Sequence, residues 1–221
     1  MAEQPDFYII AGPNGAGKST FGSLFIPPDT FYFNGDLVFA DLCKRYPHIE
    51  PERLGGGVAV QLEKDRDAAL AVRASFAFES NYSNQLAVDI SLFFKEEGYR
   101  IHLIYFGLPD LIDSTARVRR RVDMGGHNVT DETILFNRDE GIRRVCENLS
   151  LYDTVSFMDT FDLLPKRAAV FRPGQGRLHI ITEGIEWFER AFKPLIQRLI
   201  VKQKLQTVAR KRPRKGRGPR L

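Results

Sequence analysis

Cysteine is nearly absent from this chain: 221 residues contain only Cys43 and Cys146. Neither stands in a CxxC or other metal-ligand spacing, which excludes a disulfide framework and a zinc-type cluster and points to a reducing compartment. Both are expected to behave as small buried hydrophobes. Long apolar runs are missing too. The longest, around Ile101–Leu108, is too short to cross a bilayer, and MAEQPDF carries no basic segment leading into an apolar one. A cytoplasmic protein with no membrane partner is therefore expected. No internal repeat of solenoid period is present. Acidic residues are absent from Lys202 to Leu221, where nine basic residues stand. The formal net charge of +4 thus conceals a body, residues 1–201, with 23 basic against 28 acidic residues. A basic nucleic-acid-binding body is excluded, and any nucleic-acid contact would be made through the tail.

What is present is a globular composition, with 43% hydrophobic and 27% charged residues. That suffices for one large domain over residues 1–201, followed by a flexible basic tail over 202–221. Apolar runs alternate with helical patterns. Strands are expected at Phe7–Ala11, Phe31–Phe33, Ser75–Glu79, Tyr99–Phe106, Thr154–Met158, Ala168–Phe171 and Leu178–Ile181. Helices are expected from Lys18 to before Pro27, at Asp36–Tyr46, Gly55–Arg73, Gln85–Glu97, Asp110–Asp123 and Asp131–Leu149, and from near Glu183 with a break at Pro194. The pattern predicts an α/β fold with a mainly parallel sheet flanked by helices.

The strongest motif is Gly12-Pro13-Asn14-Gly15-Ala16-Gly17-Lys18-Ser19-Thr20. It satisfies GxxxxGK[ST] between an apolar strand and a helix start, the setting of a P-loop. Its glycines let backbone N–H groups turn toward phosphates. Lys18 is expected at the β- and γ-phosphates of ATP, the Ser19 hydroxyl on Mg²⁺, and Thr20 at the α-phosphate. No LSGGQ-like or NKxD motif accompanies it, so transporter-type ATPases and dedicated GTPases are disfavoured. A small kinase or another ATPase remains.

Four further segments follow in order. They are Phe33-Asn34-Gly35-Asp36, then Ser75 to Ser83 (SFAFESNYS), then Arg117-Val118 with Arg121-Val122, and finally Gly125-Gly126-His127-Asn128-Val129 leading to Gly141-Ile142. With AGPNGAGKSTF they resemble the zeta-toxin family of P-loop kinases across about residues 6–160. The resemblance implies a P-loop NTPase-like fold with a helical lid, ATP-dependent phosphorylation of a small hydroxyl compound such as UDP-N-acetylglucosamine, and an antitoxin protein as a partner. Asp36 matches the family's catalytic base, although an Asp before VFADLCKRY would also serve as a helix cap. Glu79 matches a Glu implied in substrate or Mg²⁺-water contact. Ser80 and Asn81 replace two threonines beside it, and Ser83 is retained. Arg117 and Arg121, one turn apart, match arginines that offset charge on the transferring phosphoryl group, while a solvated charged face is the competing reading. His127 is read as a turn residue, and Trp187 with Phe188 and Phe192 as core.

The sequence departs from the family at Leu135-Phe136-Asn137, where an RRR run is expected. Arg138 lies one position beyond it. A nucleotide-dependent switch or nucleic-acid-associated ATPase is the alternative function.

Overall fold

The computed structural model describes residues 4–108, 117–118, 129–162 and 164–211, with side chains described as far as residue 207. Its centre is a seven-stranded sheet. Five strands run parallel: β1 (Asp6–Ala11), β2 (Phe31–Asn34), β3 (Phe76–Ser80), β4 (Arg100–Gly107) and β5 (Thr154–Asp159). Beyond them β6 (Lys166–Arg172) pairs antiparallel with β5, and β7 (Arg177–Ile180) antiparallel with β6. The spatial order is β2-β3-β1-β4-β5-β6-β7. From β1 the chain crosses to the edge strand β2, returns to β3 between the two, and then passes to the other side of β1 for β4 and β5. Ligand sites in such sheets form where the winding reverses, beyond the carboxyl ends of the strands. Here that place is the end of β1.

Side chains alternate across the sheet. Ile101, Leu103 and Tyr105 of β4 join the larger core, while Ile104 and Phe106 join the smaller one. Burial on both faces explains why β4 reads as a near-continuous apolar run. The larger core is covered by α3 (Gly55–Ala71), α4 (Leu86–Glu96), α5 (Asp131–Asn148), α6 (Glu186–Ala191) and α7 (Lys193–Lys211). Phe94 stacks on Phe7 with ring centroids 4.2 Å apart. Trp187, Phe188 and Phe192 are buried around Phe157 and Tyr105, so this aromatic group is core as expected. The smaller core lies beneath α1 (Lys18–Phe21) and its continuation, where Phe21, Phe25 and Ile26 pack.

Several boundaries differ for identifiable reasons. The helix after the P-loop is one α-turn that tightens into a 3₁₀ turn, Gly22–Phe25, before Pro27 and Pro28. Such tightening is common at helix ends, and proline forbids continuation. The final helix is split at Phe192, and Pro194 stands in the first turn of α7, where its missing N–H costs nothing. Helix α7 runs past residue 201, so Lys202–Lys211 are helical rather than irregular. Of the helix expected at Asp110–Asp123, only Arg117 and Val118 are described, and both are helical. Arg121, Gly125, Gly126 and His127 lie outside the described residues.

Candidate active site

The P-loop leaves β1 at Gly12, whose φ of +145° is open to glycine but not to residues with a Cβ. A Cβ there would also meet the Phe106 carbonyl oxygen at 2.2 Å. The loop therefore passes directly over the end of β4. Gly12, Pro13 and Ala16 are buried under it, and their carbonyls anchor neighbours. The Lys18 Nζ donates to Gly12 O at 2.8 Å and Pro13 O at 3.0 Å, and Thr160 Oγ1, after β5, donates to Ala16 O at 3.0 Å. Asn14, Gly15, Gly17, Lys18, Ser19 and Thr20 face a cleft of about 400 Å³.

Four more elements close this cleft. The β3 end brings Glu79, whose carboxylate accepts from Ser19 Oγ (2.7 Å), Tyr32 OH (2.8 Å) and Asn34 Nδ2 (2.6 Å). The parallel register places Asn34 of β2 directly beside Glu79 of β3, so the contact follows from strand pairing. Burial, then the Glu79 charge and hydrogen bond, push the Tyr32 phenol well above its ordinary range, so it remains a donor. The loop after β3 brings Asn81, whose Oδ1 accepts from Lys18 Nζ at 2.8 Å.

Asp36 lies in the first turn of α2 (Gly35–Arg45), exposed and on the cleft wall. The cap of that helix is Asn34, whose Oδ1 accepts from Leu37 N at 3.1 Å. The capping role weighed for Asp36 thus belongs to Asn34, two residues earlier, and the Asp36 carboxylate is turned to the cleft.

Arg117 also lines the cleft. Its guanidinium donates through Nη2 to the carbonyls of Thr160 (2.7 Å) and Phe161 (3.0 Å). It is thus held against the loop that supports the P-loop, unlike a solvated surface arginine. Among the described residues, Lys18 and Arg117 are the cations lining the cleft. Arg138 is paired instead with Asp139, and Arg143 and Arg144 with Glu140. Where the family's RRR run would end, Asn137 is buried and donates to Asn14 Oδ1 of the P-loop at 2.8 Å.

A second cavity, of about 560 Å³, adjoins the first. Phe33, Val58, Leu62, Phe78, Ile90 and Phe93 give it an apolar wall, and Glu79 is common to both cavities. Ser80 and Ser83 line neither; the Ser80 hydroxyl accepts from Tyr82 N at 2.9 Å and shapes the turn that presents Asn81.

The Ser19 hydroxyl and Glu79 carboxylate are hard oxygen donors of the kind Mg²⁺ takes, supplemented by phosphate and water rather than by a protein cage. Among the described residues no group of three or more His, Cys, Asp or Glu could hold a metal alone. Neither cysteine is in the site, and burial pushes the Cys146 thiol up to about 11.

A chain of the AvrRxo1-ORF1:-ORF2 complex solved with ATP aligns with 86% of this chain at a TM-score of 0.65 and 16% identity. This chain spans 64% of that protein's length. A chain of the PezAT chromosomal toxin–antitoxin system of Streptococcus pneumoniae aligns with 95% of this chain, and 88% of its own, at a TM-score of 0.61 and 12% identity. The fold is zeta-toxin-like, a P-loop NTPase-like α/β architecture. No protein-family model matches the chain. An uncharacterized protein of Haemophilus influenzae is 26% identical over 136 residues, which are 62% of this chain and 93% of that protein.

Within the zeta-toxin-like fold, Asn34, Asn81, Asn137 and Thr160 hold the site; Asn81 stands at a motif position, while Asn34, Asn137 and Thr160 have no role that the motifs assign. One signal was available. Asn137 shares a helical stripe with Ile134, Gly141 and Val145, all buried, so a polar residue there needed a partner.

Proposed function

We propose that this chain is an ATP-dependent kinase that transfers the γ-phosphoryl group to a hydroxyl of a small molecule. The observation that carries the reading is the shared position of Glu79. It stands at the junction of a P-loop cleft and a separate apolar pocket, so two ligands can meet there. The ATP in the AvrRxo1 complex supports the same assignment for the first cleft.

In this reading the P-loop backbone and Lys18 receive the β- and γ-phosphates, and Thr20 lies toward the α-phosphate. Ser19 and Glu79 hold Mg²⁺, which when bound neutralises phosphate charge. The acceptor hydroxyl enters from the apolar pocket. Its oxygen forms a bond to the γ-phosphorus as the bond to the β,γ-bridging oxygen breaks; its proton passes to the Asp36 carboxylate, and ADP leaves. Arg117 offsets the negative charge of the transferring group. Arg121 has the same role by resemblance, and Ser80 and Ser83 support the acceptor side through the turn they occupy. UDP-N-acetylglucosamine is the acceptor the resemblance implies. The PezAT neighbour is described as part of a toxin–antitoxin system, and an antitoxin partner for this chain is proposed on that likeness.

The test is incubation of the full chain with Mg²⁺–ATP and a panel of hydroxyl compounds, UDP-N-acetylglucosamine included, with mass detection of phosphomonoesters. Wild type is expected to form one and Lys18→Ala none. Product yields that are the same for both proteins would overturn the assignment.

A further inference from the structure

The apolar pocket has a charge of its own. Besides Glu79, its wall carries Glu63 and Asp89, both exposed, against a single cation, Arg66. That cation is already engaged. Its Nε and Nη2 donate to Asp67 Oδ1 at 2.9 and 2.8 Å, and its Cζ lies 4.8 Å from the Phe93 ring centroid. Asp89 accepts from Gln85 Nε2 at 3.0 Å, which leaves its negative charge in place. Among the described residues, three carboxylates thus face one neutralised guanidinium around an aromatic and aliphatic cavity.

A diphosphate in this cavity would set like charges against each other. Among the described residues lining the cavity, the one arginine fork, that of Arg66, is already on Asp67 and not open to phosphate. A protonated amine meets the opposite situation, because the carboxylates attract it. The cations of the phosphate cleft, Lys18 and Arg117, lie on the other side of Glu79 and serve ATP in the kinase reading. Resting on that reading, we propose that the acceptor is a cationic alcohol with an apolar body, a protonated amine carrying a free hydroxyl, and not a nucleotide-diphosphate sugar. The ammonium group sits toward Glu63 and Asp89, and the hydroxyl points toward Glu79 and Asp36.

The test uses three probes on the full chain with Mg²⁺ and a non-hydrolysable ATP analogue: phenylalaninol, phenyllactate and UDP-N-acetylglucosamine. The first two share an aromatic body and a hydroxyl and differ in the sign of their charge. Calorimetric titration is expected to show phenylalaninol binding at least tenfold more tightly than either anion. The preference should shrink as salt is raised, and Glu63→Gln and Asp89→Asn should each reduce it severalfold. Equal binding, preference for an anion, or no binding of phenylalaninol would each overturn the inference. ATP consumption in parallel samples separates the two claims. Turnover with UDP-N-acetylglucosamine alone would keep the kinase and refute the cationic acceptor. Selective binding of phenylalaninol with no phosphoryl transfer to it would keep the pocket's charge selectivity and count against the kinase.

Discussion

Ser19 and Glu79, 60 residues apart in sequence, are joined by a 2.7 Å hydrogen bond at the carboxyl edge of the sheet. One comes from the P-loop on β1 and the other from the neighbouring strand β3. Their contact makes the phosphate cleft and the apolar pocket parts of one site, because Glu79 belongs to the walls of both. Tyr32 and Asn34 fix the carboxylate from the far side.

Gly141 controls how closely α5 approaches this site. A Cβ at that position would lie 2.6 Å from the Asn81 carbonyl oxygen. Alanine would otherwise favour the helix by about 1 kcal/mol, but the clash is with backbone and is the larger effect. Gly141→Ala is expected to destabilise the fold by ~1–3 kcal/mol, read as a lower urea midpoint. ATP affinity should fall with it, since Asn81 also holds Lys18. An unchanged or raised midpoint would refute the packing described.

Asn137 performs a different task from the arginine that the family pattern would place there. It satisfies the buried amide oxygen of Asn14 in the P-loop. Asn137→Ala leaves that oxygen without its donor, at a cost of about 1–3 kcal/mol. Because the loss falls on the loop, ATP binding should weaken by roughly tenfold for each 1.4 kcal/mol that appears in affinity. Titration with a fluorescent ATP analogue measures it, and wild-type affinity in the variant would contradict the role.

Alkaline pH should unfold the chain in a defined order. Burial raises the phenols of Tyr8, Tyr32, Tyr82, Tyr105 and Tyr152 above their ordinary value, that of Tyr82 to about 12. The folded chain then keeps protons that the unfolded chain releases above about pH 10. Their contribution to stability is complete below that pH and declines as pH rises toward the folded values. Urea midpoints should fall above about pH 10, with phenolate absorbance rising together with unfolding. Formation of most of the seven phenolates well before unfolding would contradict the burial of these side chains.

Much of this architecture was legible in the sequence. The apolar run at β4, the glycine loop between β1 and α1, and the proline stops have local causes, and local causes leave local patterns. The site was legible only where a motif carried it. Asp36 was visible, but its freedom from capping depends on Asn34, and that depends on which residue closes the first turn of α2. The partners of Glu79 arise from the register between β2 and β3, which brings distant segments together and leaves no periodicity. The charge of the apolar pocket was likewise invisible, because Glu63, Arg66 and Asp89 come from two helices whose facing is set by packing.

The most direct measurement of the central claim compares wild type with Asp36→Asn for ATP affinity and for transfer of the γ-phosphoryl group to the acceptor. If Asp36 takes the hydroxyl proton, the variant binds ATP as wild type does and its transfer rate falls by about 10²–10⁴-fold. Equal transfer rates in the two proteins would contradict the account.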